Sequence, residues 1–89
     1  MKKKLELYYF PQCPYCQKVF AALRVTGLEG DVTYFDIVDE PKNKQKLIEE
    51  TGRGTVPVLY IDGKPMRESD DIVKWLHDYA ESLQKGAPK

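Results

Sequence analysis

Only two cysteines occur in the 89 residues, and neither sign of charge prevails: 14 basic side chains stand against 14 acidic ones. Secreted mini-proteins of this size usually carry several structural bridges, so two cysteines exclude a disulfide-stapled scaffold. A balanced charge gives no sign of the basic surface that a nucleic-acid or membrane-surface partner would need. Any attraction for an anion has to come from local arrangement. Long apolar runs are missing too, and no stretch approaches the ~20 residues of a membrane span. Lys2, Lys3 and Lys4 followed by residues 5–10 imitate a signal peptide only superficially. Glu6 interrupts that run, Pro11 ends it, and no small-residue cleavage site follows. A cytoplasmic protein without nucleic-acid or membrane partners is expected, with a monomer as the default.

What is present is enough for a globular fold. Apolar residues make up 42% of the chain, too many for a disordered segment. The length allows one domain, 1–89, with a modest core that hides about two-thirds of the unfolded surface. There is no repeat, linker or low-complexity segment. Gly52-Arg53-Gly54 matches no phosphate-binding loop.

Hydrophobic periodicity orders the elements. Residues 5–10 read as a buried strand that Pro11 breaks. Cys16, Val19, Phe20 and Leu23 recur at helical spacing, predicting a helix over 15–25 that Gly27 stops. Residues 32–38 alternate as a second strand. Two strands joined through a helix are parallel, with a right-handed crossover. Asp39-Glu40-Pro41 predicts a helix start with acids in the first turn and proline near the first helical position. That helix runs to about Thr51, with Leu47 and Ile48 toward the core. Residues 58–61 and 64–67 form a hairpin about Asp62-Gly63. A last helix begins near Ser69 or Asp70 and buries Ile72, Leu76, Tyr79 and Leu83, with 84–89 a frayed tail. The expected fold class is α/β: a mixed four-stranded sheet, β-α-β-α-β-β-α, with helices on both faces.

Cys13-Pro14-Tyr15-Cys16 falls where the first strand feeds the first helix. Unpaired N–H groups at a helix N-terminus, together with the helix dipole, favour an anion there. A thiolate at Cys13 is therefore expected to form more readily than in a free cysteine. Pro14 suits the first helical position. Cys16, one turn in, is close enough to bridge and more buried. Cys13 is thus the expected nucleophile and Cys16 the resolving thiol. A structural pair would close too short a loop to stabilise much. Zinc would need about four ligands, and the only other soft ligand is the distant His77. The aromatics Tyr8, Tyr9, Tyr34, Phe35, Trp75 and Tyr79 read as core or half-buried surface.

Three motifs, Cys13-Pro14-Tyr15-Cys16, Thr55-Val56-Pro57 and the Asp70-Asp71 pair opening the last helix, resemble those of the glutaredoxins over nearly the whole chain. The resemblance implies a thioredoxin-like fold and glutathione as co-substrate, with no tightly bound cofactor. It implies a cis bond before Pro57, leaving the backbone of Val56 free to pair with the cysteinyl part of glutathione as an added strand. Thr55 and Pro57 belong to the same site, and Tyr15 lines the groove beside the sulfur. Two positions depart from the common pattern. Phe10 stands where many members have lysine, and Arg67-Glu68 where many have two glycines. Glu68-Ser69 looks instead like the Glu-Ser signature of glutathione transferase N-terminal domains, which holds the γ-glutamyl end. A carboxylate pairs with the ammonium of that end, while serine and helix amides hold its carboxylate. Glu68 and Asp70 are the ammonium candidates. Ser69 doubles as a helix cap. Lys44 is the candidate for the glycyl carboxylate, with Lys42 and Lys46 as rivals. Lys18 can support the Cys13 thiolate, and Arg53 can add positive field.

The expected activity is reduction of glutathione mixed disulfides and protein disulfides, with glutathionylated or disulfide-containing proteins as partners. Two alternatives remain: a transferase-like glutathione-binding domain, suggested by Glu68-Ser69, and an iron–sulfur scaffold, against which Pro14 argues.

Overall fold

The computed structural model describes residues 3–86. A central strand, β1 (Leu5–Tyr9), pairs in parallel with β2 (Val32–Asp36) and antiparallel with β3 (Val58–Ile61). The edge strand β4 (Lys64–Met66) pairs antiparallel with β3, so the sheet order is β2-β1-β3-β4. Between the strands run α1 (Pro14–Thr26), a 3-10 turn (Glu29–Asp31) and α2 (Pro41–Thr51), and α3 (Ser69–Gly86) follows β4. The expected mixed sheet and element order are observed.

Side chains alternate across the sheet, and each face has its own core. Leu7 of β1 and Leu59 of β3 point to α1 and α3, where they pack with Val19, Ile72 and Leu76, all fully buried. On the other face Tyr8, Val58 and Tyr60 meet Leu47 of α2 and Ile37. Both faces being covered explains why the central strands read as nearly continuous apolar runs. Full burial of each such leucine or isoleucine contributes about 1.5–3 kcal/mol relative to exposure.

Four expectations shift. Asp36 ends β2 two residues early, because its Oδ1 accepts the amides of Val38 and Asp39 at 2.8 and 2.9 Å and turns the chain. Val38 is left 63% exposed. On α2 only Leu47 is buried, whereas Ile48 is 43% exposed and lies over Gly54. The acids Asp39 and Glu40 precede the first turn of α2, with Glu40 at its N-cap. Residues 84–86, expected to fray, are the last residues of α3; 87–89 lie outside the described residues.

The β3–β4 turn needs left-handed backbone at Asp62 (φ 51°) and Gly63 (φ 87°). Aspartate and glycine are the residues that accept it most readily.

Candidate active site

The chain leaves β1 at Tyr9 and turns through Pro11-Gln12 before α1. The Cys13 amide donates to the Phe10 carbonyl at 3.2 Å, and the Gln17 side chain donates to the Pro11 carbonyl at 2.7 Å, fixing the turn. Cys13 is the N-cap of α1, in extended conformation, and its carbonyl accepts the first helical bond, from Gln17. Pro14 occupies the helix start and costs no hydrogen bond there. A nucleophile at this position faces the free amides of the first turn.

Cys16 is fully buried one turn further on, and both cysteines are free thiols. Burial pushes the Cys16 thiol up to about 12. A hydrogen bond from the Phe10 amide opposes that, and the neighbouring Cys13 adds to it. Cys16 is therefore protonated at neutral pH.

The Val56–Pro57 peptide bond is cis. The Cys13 thiol is directed at the Val56 carbonyl oxygen, 3.9 Å away. Sulfur and backbone acceptor thus meet although 43 residues separate them in sequence.

A groove of about 310 Å³ opens beside this contact. Tyr15 and Lys18 of α1 form one side, and Thr55, Val56 and Pro57 form its base. The remaining wall comes from Arg67, Glu68, Ser69 and Asp70, at the start of α3. Of the predicted site residues, Tyr15, Thr55, Val56, Pro57, Glu68, Ser69 and Asp70 are gathered there. Cys13, only 5% exposed, adjoins the groove through Val56 rather than lining it.

Lys44 stands apart, on α2. Its Cε lies 2.9 Å from where a Cβ on Gly54 would sit, two residues before Val56. Lys18, expected to support the sulfur, reaches across the groove instead. Its Nζ is 3.8 Å from Asp70 Oδ1 and 5.6 Å from the centre of the Tyr15 ring. Ser69 is not the cap of α3. The Glu68 carbonyl accepts the first helical bond, from the Ile72 amide at 2.8 Å, so Glu68 holds the cap position and Ser69 the first helical one. Arg67 is the wall residue that sequence reasoning read only as a departure from a family pattern. Its position immediately before Glu68-Ser69 was the available signal.

The family model for the N-terminal domain of glutathione S-transferases matches residues 7–84. A probable glutaredoxin of Acanthamoeba polyphaga mimivirus is 31% identical over 81 residues, which are 79% of this chain and 74% of that protein. The chain belongs to the glutaredoxin family. The oxidized glutaredoxin 2 of Chlamydomonas reinhardtii superposes with a TM-score of 0.69 at 27% identity, over 97% of this chain and 85% of that one. This glutaredoxin-family chain therefore has the thioredoxin-like fold. It is also 33% identical over 81 residues to IN2-1 homolog A of Oryza sativa subsp. japonica, covering 88% of itself but 31% of that protein. The double likeness, to glutaredoxins and to transferase N-terminal domains, matches the pairing of Cys13-Pro14-Tyr15-Cys16 with Glu68-Ser69 in one chain.

Proposed function

We propose that the chain is a glutathione-dependent thiol–disulfide oxidoreductase that reduces glutathione mixed disulfides and, with Cys16, protein disulfides. The observation that carries this reading is the 3.9 Å approach of Cys13 Sγ to the Val56 carbonyl at the edge of the groove. A glutathione whose cysteinyl backbone pairs with Val56 as an added strand would bring its sulfur to Cys13. Glu68 and the amides opening α3, with Ser69, suit the ammonium and carboxylate of its γ-glutamyl end. Asp70 already has Lys18 as a partner, so it takes the ammonium only when Lys18 swings away. Lys44, over Gly54, is the cation we assign to the glycyl carboxylate.

The chemistry runs in two exchanges. The Cys13 thiolate attacks the glutathionyl sulfur of a mixed disulfide. The S–S bond breaks, and the substrate protein leaves as a thiolate that takes a proton. Cys13 is now disulfide-linked to glutathione. The thiolate of a second glutathione attacks the bound glutathionyl sulfur, glutathione disulfide departs, and the Cys13 thiolate is regenerated. No net oxidant or reductant beyond glutathione is required. Cys16, held as a thiol, does not compete with this cycle until it loses its proton. For a protein disulfide, Cys13 first forms the mixed disulfide; deprotonated Cys16 then attacks Cys13 Sγ and frees the reduced substrate, and two glutathiones reduce the resulting Cys13–Cys16 bridge and leave as glutathione disulfide. The reducing cytoplasm is the setting we assign to it.

A transferase-like role is the second reading, favoured by the placement of Glu68 and Ser69 in the groove wall and by the matched domain family. Glutathione-dependent reduction of a small mixed disulfide, coupled to glutathione reductase and NADPH, tests the first reading. Activity that vanishes in Cys13→Ser and survives in Cys16→Ser supports it. A wild type that is inactive there, yet conjugates glutathione to a chlorinated aromatic, favours the second.

A further inference from the structure

The charged side chains of the groove beside Cys13 are Lys18, Arg67, Glu68 and Asp70. Lys18 and Asp70 answer each other across it, Nζ to Oδ1 at 3.8 Å. Arg67 and Glu68 are consecutive and both exposed. Among the described residues neither has an ion-pair partner, and they do not pair with each other. One cation and one anion therefore stand side by side, uncommitted, on a single wall.

The sequence around them is acidic. Glu68, Asp70 and Asp71 put three carboxylates within four residues at the start of α3. They offset the positive end of the helix dipole. A ligand ammonium is welcome there, but a ligand carboxylate meets like charge. Ser69 is uncharged and does not balance it, and Lys18 is already held by Asp70. Arg67 is the cation left in the groove wall. Its planar fork matches a carboxylate with two parallel hydrogen bonds, which a lysine ammonium does not.

On the reading that the groove holds glutathione, we propose that Arg67 grips the α-carboxylate of the γ-glutamyl head bidentately, while Glu68 takes the ammonium on the same carbon. Consecutive Cα atoms lie about 3.8 Å apart, so two neighbouring side chains of opposite charge suit two opposite charges carried by one carbon. Arg67 is then a specificity-determining residue: it makes a free α-carboxylate a condition of tight binding.

Three ligands that cannot exchange disulfides test this. S-methylglutathione carries both charges of the head. Its 4-aminobutanoyl analogue lacks the α-carboxylate, and its glutaryl analogue lacks the ammonium. Amide-shift titrations of the ¹⁵N-labelled chain measure even weak affinities for each. Arg67→Met is expected to weaken S-methylglutathione and the glutaryl analogue by about 10-fold, as loss of hydrogen bonds to a charged group does. It should leave the 4-aminobutanoyl analogue within about 2-fold of wild type, since one contact is lost only once. The melting temperature should stay nearly unchanged, because Arg67 is exposed. Arg67→Lys should recover only part of the loss. Equal weakening of all three ligands by Arg67→Met, or of none, overturns the proposal while leaving the glutathione reading in place. Full recovery by Arg67→Lys overturns the bidentate grip. A wild type with no saturable shifts from S-methylglutathione overturns the glutathione reading itself, and Arg67's role with it.

Discussion

Lys18 Nζ lies 3.8 Å from Asp70 Oδ1, joining α1 to the start of α3 across the candidate groove. The lysine side chain is 55% exposed and the aspartate 88% exposed, so water and salt screen the pair and it adds little to stability. Under the proposed function its consequence is for binding, since a glutathione ammonium assigned to Asp70 would compete with Lys18.

Asp70→Asn is therefore expected to raise the KM for glutathione several-fold while leaving kcat and the melting temperature nearly unchanged, as surface substitutions do. Asp71→Asn, whose side chain does not line the groove, serves as the control and should leave KM at its wild-type value. Steady-state kinetics on the two variants decide the matter. Equal effects would place the binding carboxylate elsewhere, with Glu68 as the remaining candidate.

Lys44 offers a second handle. A Cβ at Gly54 would meet Lys44 Cε at 2.9 Å and two Ile48 carbons at 3.3 Å. The lysine can move at little cost, whereas Ile48 yields less easily. Gly54→Ala should thus displace the Lys44 ammonium, raising the KM for glutathione a few-fold with only a small loss of stability. Lys44→Met should do the same, and the double variant should be no worse than either single one, because both act through one ammonium. Additive effects in that cycle would mean that Gly54→Ala acts on the Thr55–Pro57 segment directly.

These two sites mark where the sequence could be read and where it could not. The backbone places of Cys13 and Val56, a helix N-cap and the residue before a cis proline, were legible, as was a helix start near Ser69, although Glu68 and not Ser69 holds its cap. Lys18 and Arg67 were not. A long cationic side chain reaches several partners from one backbone position, and sequence does not say which. Within the fold, β1, β3 and α1 followed from periodicity, but Val38 and Ile48 did not. An apolar residue at a plausible phase reads as buried, although a two-residue turn at Asp36 or the limited face of a short helix leaves it in water.

Leu47 and Ile48 turn that point into a measurement. Leu47 has no exposed surface and Ile48 is 43% exposed. Leu47→Ala should cost about 2–5 kcal/mol, the usual range for a truncated core leucine. Ile48→Ala should cost well under half as much. Urea unfolding followed by circular dichroism compares them, and near-equal losses would mean that α2 packs with Ile48 buried.

Cys16 supplies the pH dependence. Its thiol is held up to about 12, first by burial, whereas in the unfolded chain it ionises near 8.5. The folded state keeps a proton that the unfolded state gives up, so this contribution is complete below pH ~8.5. It is lost as pH rises toward about 12. Tyr8, Tyr9, Tyr34 and Tyr60 are likewise raised, chiefly by burial, and act in the same direction from about pH 10 upward. Wild-type stability should therefore fall between pH 9 and 11 more steeply than that of Cys16→Ala, and the difference between the two curves isolates the thiol. The same burial predicts that iodoacetamide at pH 8 adds one group to the native protein, at Cys13, with Cys16 modified only on unfolding. Peptide mass spectrometry reads this directly. Prompt double modification would mean that Cys16 is neither sealed nor protonated, and it would remove the reason for assigning attack to one cysteine and resolution to the other.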